Sequence, residues 1–325
     1  MQSFWQTLPN PFFVLAPMAD VTDPAYRKVL AAHGKPDVTW TEFVSADGLY
    51  HTHGKGKLPD AENPLLRDLQ FTEAERPIVA QLFGGTPTAM EYAAKLCKEL
   101  GYDGIDINMG CPDRSIEKQK CGAAMIKHPQ LAAEIIAAAK TAGLPVSVKT
   151  RIGYNKESID EWIPFLFAQD IAALTVHLRT RAEMSKVPAH WNLMPRIVAL
   201  RDTLAPHTRI LGNGDVLSIK EAREKTELYG CDGVMLGRAI FGNADLFSGK
   251  DPAEVTPKER LTALAELAFA FDALRPRKSF HILKKHIKAF VVGFDGAAEL
   301  RATLMELSDY DALRAEIDAA ISLLY

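Results

Sequence analysis

Up to about residue 240 the sequence alternates short apolar or β-branched runs with segments of helical periodicity. Strands are expected at Phe12–Ala16, Val38–Val44, Pro77–Phe83, Asp103–Asn108, Pro145–Thr150, Ala172–His177, Arg209–Gly212 and Gly233–Leu236. Helices are expected at Pro24–Ala32, Thr88–Leu100, Leu131–Ala142, Ser158–Gln169, Leu193–Leu204 and Ser218–Thr226, with an irregular stretch at Gly48–Pro64. A βα alternation of this kind demands a parallel sheet, because each strand returns through a crossover to lie beside the last. Eight such units in about 240 residues match the size of a closed (β/α)₈ TIM barrel. An open, doubly wound sheet would usually carry a GxGxxG turn after its first strand. Here the first strand runs into Pro17-Met18-Ala19-Asp20 instead, which favours the barrel. Beyond Phe247 the strand signal ends, so the chain divides into a barrel over residues 1–247 and an all-helical domain over 253–325.

Composition narrows the setting. A hydrophobic share of 47% suits a globular protein. The longest apolar runs, Phe12–Met18 and Ala289–Val292, fall far short of the roughly 20 residues of a membrane helix. The opening residues show no basic stretch followed by an apolar one, so no secretory signal is expected. The four cysteines, Cys97, Cys111, Cys121 and Cys231, form no CxxC pair and no cluster with zinc-ligand spacing. A reduced cytoplasmic setting and no metal are the expectations. His51 and His53 are assigned to loop packing. The net charge of −3 argues against a generally basic nucleic-acid binder. Yet Arg275–Lys288 holds six Lys/Arg, two His and no acid. That segment is either a backbone-phosphate surface or a solvated helix face.

In a (β/α)₈ barrel the active site is built at the C-terminal ends of the strands, and here those ends are polar. Gln81, Asn108, Lys149 and His177 end strands three to six. A flavin ring needs hydrogen-bonding groups on its pyrimidine edge and a cation near N1, which Lys149 could supply. Asn213-Gly214-Asp215 and Gly237-Arg238 follow strands seven and eight, where such barrels commonly bind phosphate. Glycines there let backbone N–H groups approach an anion; the alternative is a pair of tight turns with a structural arginine. Cys111 lies in a Gly-Cys-Pro turn directly after a strand. It is either a buried structural thiol or an acid held at the rim, since a thiol with an ordinary pKa of about 8.5 stays protonated at neutral pH. Cys121 is expected to be structural.

The stretch Ile105-Asp106-Ile107-Asn108-Met109-Gly110-Cys111-Pro112, continuing to Gly122-Ala123, resembles the diagnostic motif of the tRNA-dihydrouridine synthases. Ala16–Asp23, Val176–Thr180, Gly212–Asp215 and Asp232–Arg238 resemble that family's other landmarks, and His281–Arg301 extends the likeness into the helical end. The resemblance implies an FMN-dependent, NADPH-reduced enzyme that saturates the C5–C6 bond of uridine in tRNA. It implies FMN contacts at Pro17, Met18, Ala19, Gln81, Lys149, His177, Asn213, Gly214, Asp215, Gly237 and Arg238, and Cys111 as proton donor. Asn108, Arg179 and Thr180 would face the substrate, and Arg277, Lys278, Lys284, Lys285 and Lys288 would meet tRNA. The implied partner is tRNA alone, bound by a cytoplasmic monomer with no membrane attachment. Lys186–Trp191 has no placed counterpart in the pattern. Two other readings stay open: an FMN barrel acting on a free pyrimidine, and a tRNA-binding protein that has lost catalysis.

Overall fold

Parallel strands must close on themselves or expose two edges, and this chain closes. The structure, a computed structural model describing residues 3–324, has nine strand segments: β1 (Phe12–Leu15), β2 (Thr39–Trp40), β3 (Val44–Ser45), β4 (Ile78–Phe83), β5 (Gly104–Met109), β6 (Val146–Arg151), β7 (Ala173–His177), β8 (Arg209–Asn213) and β9 (Gly233–Leu236). All pair in parallel, in the order β1-β9-β8-β7-β6-β5-β4-β2, with β3 also on β4. A bridge between Val14 and Val38 brings the two ends together. The expected second strand, Val38–Val44, is therefore two short segments. Its continuity fails at Thr41-Glu42-Phe43, where the Thr41 hydroxyl accepts from the Gln81 amide and donates to the Glu42 carbonyl.

Helices fill the returns: α1 (Pro24–His33), α2 (Ala46–Leu49), α3 (Pro64–Asp68), α4 (Pro87–Glu99), α5 (Arg114–Glu117), α6 (Pro129–Lys140), α7 (Ile159–Phe167), α8 (Met194–Leu204) and α9 (Ile219–Tyr229). Several start as chemistry dictates. Asp23 caps α1 by accepting from the Tyr26 amide, with Pro24 at the first position. The stretch expected to be irregular, Gly48–Pro64, holds helical turns instead, at Tyr50–Gly54 and Asp60–Glu62. His53 packs there against Tyr92, its Nδ1 on the phenol oxygen.

Strand alternation sorts side chains into two populations. On β5, Ile105, Ile107 and Met109 face the helices and join the main core, while Asp106 and Asn108 face the barrel axis. The lower barrel is plugged by Trp5, Phe12, Val14, Trp40, Val79 and Leu211, all fully buried. Register then stacks polar residues above this plug: Gln81 lies opposite Asp106, Asp106 opposite Ser147, Asn108 opposite Lys149, and His177 opposite both Arg151 and Asn213.

The C-terminal helices α10 (Pro257–Asp272), α11 (Phe280–Phe290), α12 (Ala297–Glu306) and α13 (Tyr310–Ser322) continue the barrel's core. Leu261, Leu264, Phe271, Leu283, Ile287 and Phe290 belong to the same apolar cluster as Tyr26, Val29 and Leu30 of α1. No helix among the described residues is long and apolar enough to cross a membrane.

A buried charge cluster ties the two parts. Lys278, expected at an RNA surface, turns inward with its side chain 3% exposed. Its Nζ lies 2.6 Å from Glu42, 3.4 Å from Asp68 and 3.6 Å from Asp23. The expectation fails because Glu42, Asp23 and Asp68 converge on its ammonium, although Asp68 also meets Arg67 at 2.9 Å. Burial raises Asp23 and lifts Glu42 to about 7, although Lys278 opposes both shifts. Burial works against the Lys278 charge too, but Glu42, Asp23 and Asp68 together hold its pKa above the ordinary value.

Removing one member of such a cluster strands the others. Lys278→Met is expected to lower unfolding free energy by about 3 kcal/mol at pH 7.5 in urea titrations. The sign with pH follows from linkage. A carboxyl whose folded pKa is raised contributes fully below its ordinary value, and that contribution is lost as pH rises through the folded one. The deficit should therefore shrink as pH falls from above 7, the folded value of Glu42, toward the ordinary carboxylate range.

Candidate active site

The barrel mouth carries a cleft of about 190 Å³ lined from the C-terminal ends of β6, β7, β8 and β9 and from the loops after them and after β1, among them Pro17, Met18, Lys149, His177, Asn213, Asp215 and Arg238. Gly214 and Gly237 also line it. Of the expected cofactor contacts, Ala19 and Gln81 do not. Ala19 is exposed beyond the rim, and Gln81 is fully buried one layer below the mouth.

Electrostatics in the cleft follow from crowded cations. Lys149 is half-buried and its pKa falls to about 8, first because burial penalises the ammonium and then because Arg151 stands nearby. Its Nζ donates to Asn213 Oδ1 at 3.1 Å, while Asn213 Nδ2 donates to the Met235 carbonyl at 2.8 Å. Burial, reinforced by Lys149, Arg151, Arg179 and Arg238, holds His177 well below its ordinary pKa. The ring is neutral at pH 7. Arg151 Nη1 lies 3.3 Å from His177 Nδ1. A guanidinium can only donate, so Nδ1 accepts and Nε2 carries the proton.

The loop after β8 is shaped to receive an anion. Gly214 has φ +133° and Asp215 φ +57°, left-handed backbone that exposes successive N–H groups in a concave turn. Asp215 accepts from Arg179, from Arg238 Nη2 at 2.7 Å and from the Ala189 amide at 2.9 Å. Burial alone would raise its pKa, but these donors outweigh it and the carboxyl lies below its ordinary range. The Arg238 side chain is 63% exposed and reaches the cleft as its outermost cation. This donor set of Lys149, Arg238, backbone N–H groups and the His177 Nε2–H fits a phosphorylated, electron-accepting ring system such as FMN.

Cys111 sits at the end of β5 in a turn held from three sides. Asn108 Oδ1 accepts from the amides of Gly110 and Cys111, at 3.1 and 2.9 Å. Ala123 N donates to the Cys111 carbonyl at 2.9 Å. Gly122 has φ +60°, and a Cβ there would lie 2.6 Å from the same carbonyl, so only glycine lets the loop close. Cys111 is half-buried, whereas Cys97, Cys121 and Cys231 are buried. Burial holds its thiol above the ordinary pKa, and drives Cys121 further, to about 12. Cys121 contacts the Gln119 carbonyl and packs within the loop.

Of two residues expected at the substrate, Arg179 lines the cleft while also bracing the loop after β7, and Thr180 does not line it. Arg179 is 3% exposed on its side chain and divides its donors between Asp215 and the Val187 carbonyl, at the edge of the cleft. Thr180 turns its amide and hydroxyl to Glu183, not to the cleft. The unplaced stretch Lys186–Trp191 proves to be the wall behind that loop: Val187 and Ala189 bind Arg179 and Asp215, and Trp191 Nε1 donates to the Gly214 carbonyl at 2.8 Å. Asn108 spends its carbonyl on the Cys111 turn and one Nδ2–H on Gln81.

Two residues escape a reading of the sequence. Arg151 donates to the Gly110 carbonyl at 2.7 Å, to His177, and to the carbonyls of Thr180 and Met184, so one guanidinium joins the Cys111 turn to the loop after β7. Asp106 is fully buried beneath the mouth and accepts from Gln81 and Ser147. A period of two would find both, since Arg151 is two residues past Lys149 and Asp106 two before Asn108, on the same strand faces.

Comparison with known proteins sets this site in a family. Residues 14–324 match the family described as Dihydrouridine synthase (Dus). The chain is 43% identical over 323 residues to a protein of Bacillus subtilis (strain 168) named "Probable tRNA-dihydrouridine synthase 2", covering 98% of this chain and 96% of that one. It is also 43% identical over 322 residues to "Probable tRNA-dihydrouridine synthase" of Staphylococcus aureus (strain COL), at 98% and 95% coverage. Among solved structures it resembles a 2-naphthoyl-CoA reductase complex, with TM-score 0.55, 11% identity and coverage of 73% of this chain and 49% of that one. It also resembles a morphinone reductase variant, with TM-score 0.51, 12% identity and coverage of 72% and 85%; both likenesses concern the fold alone. The polar barrel mouth, the Cys111 turn and the match over nearly the whole chain agree: this protein belongs to the dihydrouridine synthase family.

Proposed function

We propose that this enzyme reduces the C5–C6 bond of uridine in tRNA, using FMN in the mouth cleft and NADPH as reductant. The observation that carries the reading is the half-buried, protonated Cys111 thiol fixed at the rim of a cation-lined cleft. Lys149 would stand at the flavin pyrimidine edge as the cation that favours its reduced form, with His177 Nε2–H and Asn213 beside it. The backbone of Gly214 and Asp215 and the guanidinium of Arg238 would hold the phosphate, with Pro17, Met18 and Gly237 as apolar walls. When bound there, FMN would supply hydride chemistry toward uracil C6, and NADPH would be the reductant that renews it.

The chain's own part in the reaction is a proton and its placement. Hydride addition leaves negative charge over C5 and O4 of the base. Cys111 delivers its proton to C5 and is reprotonated from solvent, so the ring gains two hydrogens in all. A thiol held above its ordinary pKa keeps that proton until the charge develops. The Nδ2–H of Asn108 that Gln81 does not take is the donor left for a uracil oxygen.

A uridine inside folded tRNA must be turned out to reach this pocket. The basic face proposed to guide the RNA is what remains of Arg275–Lys288 once Lys278 is set aside. Arg277 is 68% exposed on its side chain, Lys288 is exposed, and Lys284 rests on the Met305 carbonyl. Lys285 lies 3.7 Å from Asp20 in the loop after β1, which brings the basic helix to the edge of the mouth. We propose a monomer acting in the cytoplasm.

Cys111→Ala is expected to purify with its flavin absorbance intact and to form dihydrouridine in unmodified tRNA at least about 100-fold more slowly; turnover equal to the parent would remove Cys111 from the mechanism. Arg277→Glu combined with Lys288→Glu should flatten the dependence of tRNA affinity on salt, because a phosphate that meets no cation keeps its counterion when the complex forms. An unchanged slope of log affinity against log salt would take this face out of the interface.

A further inference from the structure

Below the mouth, a line of hydrogen bonds runs from the barrel axis to the Cys111 turn. Ser147 Oγ donates to Asp106 Oδ1 at 2.6 Å, and Gln81 Nε2 donates to Asp106 Oδ2 at 2.7 Å. Asn108 Nδ2 donates to Gln81 Oε1 at 3.1 Å, and Asn108 Oδ1 accepts the amides of Gly110 and Cys111. Asp106 and Gln81 are fully buried, and Asn108 is 6% exposed.

The chemistry of the two ends makes this line one-directional. Backbone amides can only donate, so they hold the Asn108 carbonyl toward the turn. An ionised carboxylate can only accept, so it holds the Gln81 NH₂ downward and its carbonyl upward to Asn108. Two amide side chains, each able to present either end, are thereby fixed in one orientation apiece. Burial raises the Asp106 pKa to about 6, while Ser147 and Gln81 donate to the charged form and hold it down; at neutral pH the group is an acceptor. Asp106, Gln81 and Asn108 are all buried, so each link counts more than it would at a surface.

We infer that Asp106 is a positioning residue for the reaction, setting the Gln81 and Asn108 amides and through them the place of Cys111. The inference rests on the proposed role of Cys111, but it concerns geometry that exists without substrate. It therefore has a readout separate from turnover. Cys111 is the half-buried thiol among three buried ones, so iodoacetamide reports on the turn directly.

The test uses the flavin-containing enzyme with Asp106→Leu, Asp106→Asn, Gln81→Met and the double variant Asp106→Leu/Gln81→Met. Asp106→Leu offers Gln81 no acceptor. Turnover number (kcat) should fall about tenfold with KM for tRNA within about twofold, and Cys111 alkylation should quicken about tenfold. Gln81→Met cuts the same line one link higher and should do the same. The double variant should be no worse than the worse single, because both substitutions remove one path. Asp106→Asn can still accept from Gln81 while its NH₂ donates to Ser147, whose hydroxyl also lies 3.3 Å from the Ile105 carbonyl; it should stay close to the parent in every measure.

Three results would overturn the inference: parent-like turnover and alkylation in Asp106→Leu, losses that multiply in the double variant, or Asp106→Asn falling as far as Asp106→Leu. If Asp106→Leu does not fold, Gln81→Met and Asp106→Asn decide the matter by alkylation, and equal rates in Gln81→Met and the parent refute the line. A parent enzyme that forms no dihydrouridine would sink the proposed function, while alkylation would still judge the role of Asp106.

Discussion

A closed parallel barrel turns every second residue of each strand toward its own axis, where no solvent can satisfy a polar group. Any polar side chain placed there must find its partner on a neighbouring strand, and register decides which partner it gets. In this protein the lower axis avoids the problem with aromatic and aliphatic side chains. The upper axis meets it with pairs that the ladder sets side by side: Gln81 with Asp106, Asp106 with Ser147, and His177 with Arg151. Slipping any of β5 to β7 by one residue would exchange these groups with Ile107, Val148 or Val176 and unmake the mouth.

The same confinement explains the charge pattern. Lys149, Arg151 and Arg179 lie within one small region, and the carboxylates that answer them are few. Asp215 is committed to Arg179 and Arg238, and Asp106 lies a layer below. Burial first, and then a surplus of positive charge held by the fold, lowers the Lys149 and His177 pKa values, and the surplus leaves an electrostatic demand for an anion. A phosphorylated cofactor would meet it.

The barrel is legible from alternation alone because eight apolar runs at regular spacing leave few other ways to bury themselves. Cys111, Lys149, His177, Asn213 and Arg238 are legible as a set because they fall at strand ends. What the sequence conceals depends on long-range partners. Nothing near Lys278 in the chain announces that Asp23, Glu42 and Asp68, more than 200 residues earlier, will claim it, so a basic run read locally overstates the surface, as buried His286 in the same run also shows. Val38–Val44 reads as one strand because its residues suit a strand throughout; the break comes from Thr41 engaging β4. A motif points to Arg179 and Thr180, but their bonds to Asp215, Val187 and Glu183 arise from how the following loop folds back and are not readable from the motif.

The Lys278 cluster also bears on how the molecule can vary. Its ammonium belongs to the helical end, and its three acids belong to the loops after the first two strands and to α3. The helices thus share the barrel's core rather than hanging beside it. Transplanting them onto a sister barrel would carry a naked cation into a lipid-like seam unless the acid trio travelled along, so the two parts are bound to change hands together.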